Sequence, residues 1–408
     1  MNRNHSFAPA ERVRALELPE RADIAPPSVR QADLDILGQL PPDFLDTTHF
    51  DTVAFPPPDY ARQMFDAAAA DGSLAYTGYR GHPGVLAEVA RNVSAFLGVE
   101  VDPRRNIALL PGTQAALFAT LSARVNRGDR IVLMDPDYLF TARILRFLEA
   151  EIAYVPLVLT DGRYEPDIDE MARHFADPAT KLAVFSHPNN PTGAVYRPEI
   201  IARIAELAAE HDVGLVADEL YARLVYDGTP FPHIAAEPGA WERTCTLLGP
   251  SKTESLSGYR LGVVVGPAPI MEAIENTLSI TSLRAPAYAQ HVLRGWLGPD
   301  RDWLERRLAA FAELRRTTLS ILREVPWLKV HPQHGTAYLW ADLRSTGLSD
   351  IEIGRTLARD AATLISPGYQ FGPNSSGHIR ICYARDPATW PDDLRRMIDV
   401  LERARTRR

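Results

Sequence analysis

Lysine is scarce in this sequence of 408 residues. It accounts for only three of the 44 basic residues, at Lys181, Lys252 and Lys329, and arginine accounts for the other 41. If the chemistry of the protein requires a lysine amine, only these three side chains can supply it. The arginine excess is mainly a compositional bias, so an arbitrary arginine is expected to be a solvated surface residue.

Cysteine, positive net charge and long apolar runs are also lacking, and each absence excludes a class of protein. Cys245 and Cys382 are the two cysteines and form no CxxC pair, which argues against a disulfide framework or a zinc site. The net charge of −8 disfavours nucleic acid as a partner, because phosphates would be repelled. No run of eighteen apolar residues and no apolar leader segment occur, so we expect a cytoplasmic protein that does not enter membranes.

Short apolar runs alternate with amphipathic stretches along the middle of the chain. Such alternation is typical of an α/β fold whose large domain has a mostly parallel sheet between helices. The runs predict a seven-stranded sheet from residues 107–110, 130–134, 151–158, 181–186, 213–218, 244–249 and 260–266. After about residue 267 the pattern changes to long helices, followed by further strands, which indicates a smaller α+β domain. The expected long helices are 267–283, 286–297 and 301–323.

These patterns divide the chain into two expected domains. Residues 1–50 should form an N-terminal arm and part of the small domain, 51–285 the large domain, and 286–408 the C-terminal part of the small domain. Ligands of open α/β sheets bind at the carboxyl ends of the strands. The chemistry is therefore expected in the segments that follow the predicted strands.

Three polar motifs follow three successive predicted strands. HPNNPTG occupies residues 187–193, DELY residues 218–221 and GPSKTESLSGYRLG residues 249–262. Taken singly, each has an ordinary structural explanation as a turn, a helix cap or a surface charge. The carboxyl ends of neighbouring parallel strands meet at one edge of a sheet, so the three motifs together predict one site. Of the three lysines, only Lys252 lies within one of these polar motifs.

The order Asn, Asp–Tyr, Lys, Arg in these motifs resembles that of pyridoxal 5′-phosphate (PLP) enzymes of fold type I, in the aspartate aminotransferase-like class I/II group. The resemblance extends from about residue 55 to the C-terminus, and it implies that the large domain binds PLP. It implies that Lys252 forms the Schiff base with the cofactor and moves the proton at the substrate α-carbon. Asp218 would pair with the pyridine nitrogen, and Asn190 and Tyr221 would hydrogen-bond the phenolic oxygen of PLP.

The same resemblance implies a cradle for the cofactor phosphate at a helix N-terminus. The residues it assigns to the phosphate are Gly112, Thr113, Gln114, Ser251, Arg260 and, from across a subunit interface, Tyr76. Shared active sites of this kind imply a homodimer. Tyr138 is expected to pack against the cofactor ring. The family often has a serine where this chain has Gly249, so one phosphate hydrogen bond is expected to be missing or to come from Thr253 or water.

For the substrate, the resemblance implies that Arg380 binds the α-carboxylate, because a planar guanidinium suits that ion, with Asn190 close by. His49, Arg80 and Arg284 are further candidates for substrate binding, and they lead to the hypothesis of an amino donor with a polar or acidic side chain. No metal ligand set is expected.

The activity implied by the resemblance is amino-group transfer between an L-amino acid and a 2-oxo acid by a ping-pong mechanism. The alternative is other PLP chemistry on the same fold, namely a β-elimination lyase, a decarboxylase or an oxidase. A DNA-binding regulator with an aminotransferase-like domain is disfavoured by the acidic net charge.

Overall fold

A large mixed sheet forms the centre of the computed structural model, which describes residues 10–14, 16, 33, 35–71 and 76–406. The strands are β1 (Leu45–Asp46), β2 (Ile107–Leu110), β3 (Arg130–Asp135), β4 (Glu151–Thr160), β5 (Arg163–Pro166), β6 (Thr180–Ser186), β7 (Gly214–Asp218), β8 (Thr244–Leu248), β9 (Gly262–Val265), β10 (Lys329–Val330), β11 (Tyr338–Asp342), β12 (Thr363–Leu364), β13 (Ser366–Pro367) and β14 (His378–Cys382). The α-helices are α1 (Glu11–Arg14), α2 (Asp59–Asp71), α3 (Pro83–Leu97), α4 (Thr113–Arg124), α5 (Leu139–Phe147), α6 (Ile168–Phe175), α7 (Pro198–Glu210), α8 (Ala268–Ile280), α9 (Ala287–Gln290), α10 (Arg301–Arg323), α11 (Asp350–Asp360) and α12 (Trp390–Thr406). Within these ranges, no helix has the length and apolar character needed to cross a bilayer.

In the described residues the central sheet has eight strands, in the order β2-β9-β8-β7-β6-β3-β4-β5. Only β9 and β5 run against the direction of the others. All seven predicted strands are present, and the prediction missed β5. This strand folds back on β4 through Asp161 and Gly162, whose φ angles of 51° and 77° suit a two-residue hairpin turn. The Asp-Gly pair was the sequence signal for this eighth strand.

Helices cover both faces of this sheet. α4, α5 and α8 pack on one face through residues such as Leu117 and Ile274. α2, α3, α6 and α7 pack on the other through residues such as Val89 and Ile204. Because both faces are covered, the strands are continuous apolar runs, and every residue of β2 and β8 is buried.

A second, smaller part of the structure contains the antiparallel sheet β10-β11-β14-β13 and the helices α10 to α12. Its core includes Phe50, Phe311 and Trp390. Residues 45–46 join this part, because β1 pairs in parallel with β12 and Leu45 lies opposite Thr363.

The segment 286–297 differs from the expected long helix of the small domain. It consists of α9 and a short 3₁₀ turn, His291–Gly295. Leu293 and Trp296 are buried in the same apolar cluster as α2 and α3. The segment therefore packs with the large sheet, and α10, which enters the core of the smaller part, begins at Arg301.

Candidate active site

The three polar motifs meet at one edge of the central sheet. β6, β7 and β8 are adjacent and parallel, so the segments that follow them place Asn190, Asp218 and Lys252 together. These side chains line a cavity of about 270 Å³. The residues predicted from the sequence that line this cavity are Thr113, Gln114, Tyr138, Asn190, Asp218, Tyr221, Ser251, Lys252, Arg260 and Arg380.

Asp218 and Lys252 are the acid and the amine of the cavity. Burial raises the pKa of Asp218 to about 6, although the Leu220 backbone N–H donates to its Oδ1 at 3.2 Å and the charge of Lys252 acts in the opposite direction to burial. Lys252 Nζ lies 5.9 Å from the centre of the Phe50 ring. In the described part of the chain, Nζ has no hydrogen-bond or ion-pair partner, so the amine is available for a ligand.

Arg380 is a buried cation held by neutral groups. Its Nη1 donates to Asn190 Oδ1 at 2.9 Å, and its Nη2 donates to the Thr48 carbonyl at 2.7 Å and to Ser366 Oγ at 3.0 Å. Its guanidinium carbon lies 4.1 Å from the centre of the Tyr338 ring. No carboxylate of the described residues pairs with it. A buried guanidinium without an anion is a suitable binding group for a carboxylate ligand.

Tyr221 forms a hydroxyl pair at the floor of the cavity. Its OH donates to the Tyr338 OH at 3.1 Å, and burial raises the pKa of Tyr221 well above its usual value. The phenol therefore stays protonated and can act as a hydrogen-bond donor.

Gly112 and Arg260 form the anion-binding end of the cavity. Gly112 precedes α4 with φ of 94°, and a β-carbon on it would lie 2.3 Å from Arg260 Nη2. Arg260 itself has φ of 54°, and its Nη1 donates to the Ser257 carbonyl at 2.9 Å. Only glycine permits this approach, which brings a cation next to the free N–H groups of the first turn of α4.

Gly249 departs from the expected serine, and the structure shows its neighbour. A β-carbon at Gly249 would lie 2.6 Å from Thr113 Oγ1. The Thr113 hydroxyl is buried, has no hydrogen-bond partner and belongs to a residue that lines the cavity. Thr253, one of the alternatives expected to replace the serine, does not line this cavity and lies beside a separate small cavity with Glu254 and Trp296.

Tyr138 stands at the cavity wall after β3. Its OH donates to Gln114 Oε1 at 2.9 Å, and burial raises its pKa. This bond connects the wall of the cavity to the first turn of α4.

Tyr76 and Arg284 lie together outside this cavity. Tyr76 is 79% exposed, and the guanidinium carbon of Arg284 lies 4.7 Å from the centre of its ring and 5.4 Å from that of Tyr79. The two residues form an exposed aromatic–cation pair.

The structure does not bring His49 and Arg80 to the cavity of their own chain. His49 is mostly exposed and pairs with Asp46 at 3.3 Å, whereas its neighbour Thr48 lines the cavity. Arg80 Nε donates to Glu275 Oε2 at 2.6 Å and its Nη1 donates to the Arg104 carbonyl at 3.1 Å. The guanidinium of Arg80 is thus bound to α8 and to the loop before β2.

Tyr338, Thr48 and Ser366 are site residues that the sequence did not indicate. They come from β11, from the turn after β1 and from β13, and they reach the site only because the small part packs against the strand ends. No local motif marks them.

A free lysine amine beside a buried aspartate is the combination with which fold type I enzymes use PLP, and the mostly parallel sheet has the corresponding architecture. Comparison with known sequences identifies the family to which the chain belongs. The family model for aminotransferases of class I and II matches residues 47–398, and the chain belongs to this family. It is therefore an enzyme that transfers amino groups, in a family that uses PLP.

Individual relatives show how far the similarity reaches. The chain is 29% identical to an aspartate aminotransferase of Musicola paradisiaca over 81% of this chain and 82% of that one. It is 28% identical to an arginine–pyruvate transaminase of Pseudomonas aeruginosa over 76% and 78%. A solved structure of an aspartate aminotransferase from Rhodobacter sphaeroides is 34% identical, with a TM-score of 0.86, and the match covers 92% of this chain and 99% of that one.

Proposed function

We propose that the protein moves the amino group of an L-amino acid to a 2-oxo acid in two half-reactions at one site, with Lys252 carrying the cofactor. The observation that carries this proposal is that the amine of Lys252 is available to a ligand. Lys252 Nζ shares a cavity with Asp218 and Arg380 and has no partner within the described residues. In a ping-pong sequence the first oxo acid leaves before the second binds, so one carboxylate site serves both substrates.

The residues present fit PLP at both of its ends. The phosphate end has the free N–H groups of α4, Arg260 and the unpartnered Thr113 hydroxyl. The ring end has Asp218, whose pKa is raised by burial, so a cationic partner placed beside it would favour its carboxylate form. We therefore assign Asp218 to the pyridine nitrogen. When bound, the protonated ring supplies the electron sink that the reaction at the α-carbon requires.

The amine and the phenol have distinct roles in this proposal. Among the described residues that line the cavity, Lys252 is the only lysine, and we assign to its Nζ the transfer of the α-carbon proton. Tyr221 remains protonated, and its hydroxyl would donate to the cofactor by turning from the Tyr338 OH. The amide of Asn190, whose Oδ1 is occupied by Arg380, donates a second hydrogen bond. Tyr138 provides an aromatic wall.

Arg380 binds the α-carboxylate of the substrate. Its donors are held by Asn190, Thr48 and Ser366, so its orientation is set before the ligand arrives. A carboxylate here would give the guanidinium the anion that it lacks.

We further propose a homodimer in which Tyr76 and Arg284 of one subunit complete the site of the other. Both residues lie outside the cavity of their own chain, and exposed Ile280 and Leu283 precede Arg284 closely in sequence. Exposed apolar groups of this kind are typical of an interface. Arg284 delivered in this way would favour donors with a polar or acidic side chain. His49 stays a candidate at the rim, next to Thr48.

The cytoplasm is the proposed location. Cys245 and Cys382 are both free and buried, which suits a reducing compartment. Cell fractionation tests this assignment.

The test of the reaction is a single turnover with PLP-loaded enzyme and an amino donor but no acceptor. Transamination predicts one equivalent of oxo acid and conversion of the bound cofactor to its amine form. The β-elimination, decarboxylation and oxidation alternatives, which the relatives' names do not favour, instead predict free ammonia, carbon dioxide or consumption of oxygen. Catalytic release of any of these would overturn the proposal.

A further inference from the structure

A buried ionic cluster lies directly behind the catalytic segments. Arg223 Nη1 donates to Glu254 Oε1 and to Asp300 Oδ2, the latter at 2.8 Å, and Arg223 Nη2 donates to Asp300 Oδ1 at 2.8 Å. The side chains of Arg223, Glu254 and Asp300 are 8%, 1% and 0% exposed. The cluster is therefore shielded from water, where ion pairs restrain geometry most strongly.

Two members of the cluster lie close in sequence to residues of the active site. Arg223 follows Tyr221 by two residues, and Glu254 follows Lys252 by two residues. The Arg223–Glu254 pair thus joins the segment after β7 to the segment after β8. Because no hydrogen bond or ion pair from the described residues holds Lys252 Nζ, its placement depends on the backbone that Glu254 holds.

The third member connects this junction to the small part of the structure. Asp300 immediately precedes α10, and it also accepts a hydrogen bond from the Gly298 backbone N–H at 3.3 Å. On the same helix, Arg307 Nη1 donates to Ser255 Oγ at 3.1 Å. The lysine segment is therefore held to α10 at two successive residues, Glu254 and Ser255.

Neighbouring groups complete the cluster without adding a charge. Trp296 Nε1 donates to Glu254 Oε1 at 3.2 Å, and the Tyr60 OH donates to Asp300 Oδ2 at 3.4 Å. Burial raises the pKa of Glu254, while Arg223 lowers it. None of these residues lines the main cavity, so the cluster does not contact a ligand there and acts through the segments that carry Tyr221 and Lys252.

We propose that Arg223, Glu254 and Asp300 are positioning residues for the amino-group transfer, which hold Lys252 in register with Asp218 and Tyr221. This inference rests on the proposed function of Lys252. It predicts that loosening the cluster misaligns the amine and leaves the carboxylate site at Arg380 intact.

The experiment compares Glu254→Gln with Glu165→Gln in full-length, PLP-loaded protein. Glu165 is an equally buried carboxylate that pairs with Arg197 far from the cavity, so it is a matched control for the loss of a buried ion pair. Glu254→Gln should slow the single-turnover reaction at least tenfold, with the KM for the donor changed less than threefold. It should also move the pH midpoint of the visible absorbance of PLP on Lys252 by at least half a unit. Glu165→Gln should lower Tm similarly and leave both readouts unchanged.

A second variant keeps the test decisive if Glu254→Gln does not fold. Arg223→Lys retains the positive charge but loses the two-pronged contact with Asp300, and it should shift the same absorbance midpoint in the same direction. If Glu254→Gln and Arg223→Lys lose stability but keep the wild-type single-turnover rate and absorbance midpoint, the positioning role is overturned and the proposed function is not. A wild-type protein that forms no absorbance with PLP would overturn the proposed function together with this inference.

Discussion

Gly249 and Thr113 are so close that a β-carbon on residue 249 would lie 2.6 Å from the Thr113 hydroxyl oxygen. The buried hydroxyl of Thr113, which has no partner among the described residues, thus lies against the place where a serine side chain at residue 249 would begin. A glycine on one strand-end segment and a threonine on a helix N-terminus form one compensating pair.

This relationship predicts the effect of two substitutions on PLP affinity. Thr113→Val should weaken binding about tenfold, because one hydrogen bond to a charged group is lost. Gly249→Ser should also weaken it, because the new side chain collides with Thr113. The double variant Gly249→Ser/Thr113→Ala should recover affinity toward wild type. Equilibrium dialysis measures these constants, and tighter binding by Gly249→Ser alone would contradict the explanation.

Asp218 should give the cofactor-free protein a specific pH dependence. Its pKa is raised to about 6 in the folded state, above the usual value near 3.9 of the unfolded chain. The folded protein therefore binds this proton more tightly, and the contribution of Asp218 to stability falls as pH rises from about 4 to 6.

Removing the charge of Asp218 should remove the loss of stability that its ionisation causes. Asp218→Asn should stabilise the cofactor-free protein at pH 7.5 by about 1–2 kcal/mol, since the carboxylate is only partly shielded beside an open cavity, and by little at pH 4. The same change should weaken PLP binding and reduce single-turnover activity. Denaturant titrations at the two pH values measure the difference, and equal effects at both would rule out the assigned pKa.

Arg380 should determine donor affinity. Arg380→Lys retains a charge but loses the planar fork, so KM for amino donors and oxo acids should rise about 10- to 100-fold. The visible absorbance of bound PLP should remain. Arg301→Lys is a suitable control, because this side chain is 81% exposed. A KM close to wild type for Arg380→Lys would place the carboxylate elsewhere.

Mixing subunits of two inactive variants tests whether the active sites are shared between subunits. Lys252→Ala lacks the amine and Tyr76→Ala lacks the contribution to the partner, so each homodimer should be nearly inactive. In a hybrid, one site has an intact Lys252 and an intact Tyr76. Random mixing should restore about a quarter of wild-type activity. Absence of any recovery in hybrids verified by mass would exclude sharing through Tyr76.

Donor preference is tested with Arg284→Gln. If Arg284 enters the partner's site, kcat/KM for aspartate should fall at least tenfold relative to leucine, because one charge-assisted contact is lost. Arg316→Gln, at an exposed position, provides the comparison. A wild-type preference for leucine or phenylalanine would refute the polar or acidic donor while leaving transamination in place.

Much of the fold followed from local patterns. The seven strands and the helices around them were predictable because strand and helix periodicities are set by neighbours only a few residues apart. The segment 286–297 was not, because its apolar residues suit a long helix but pack as a bent segment between α2 and α3. The partner of Arg80 was not predictable either, because Glu275 lies 195 residues away in the sequence.

The sequence by itself determined the chemistry. With three lysines in the chain, only Lys252 lay among the polar residues that a cofactor needs, and the strand-end motifs gave the order of its partners. The tertiary structure alone decided the geometry: Thr113 rather than Thr253 lines the cavity, Tyr338 lies beneath Arg380, and Arg223 pairs with Glu254 behind the lysine. The contacts Thr113–Gly249, Tyr338–Arg380 and Arg223–Glu254 join residues 31 to 136 positions apart, and such distant pairs are selected by packing of whole layers rather than by any local pattern.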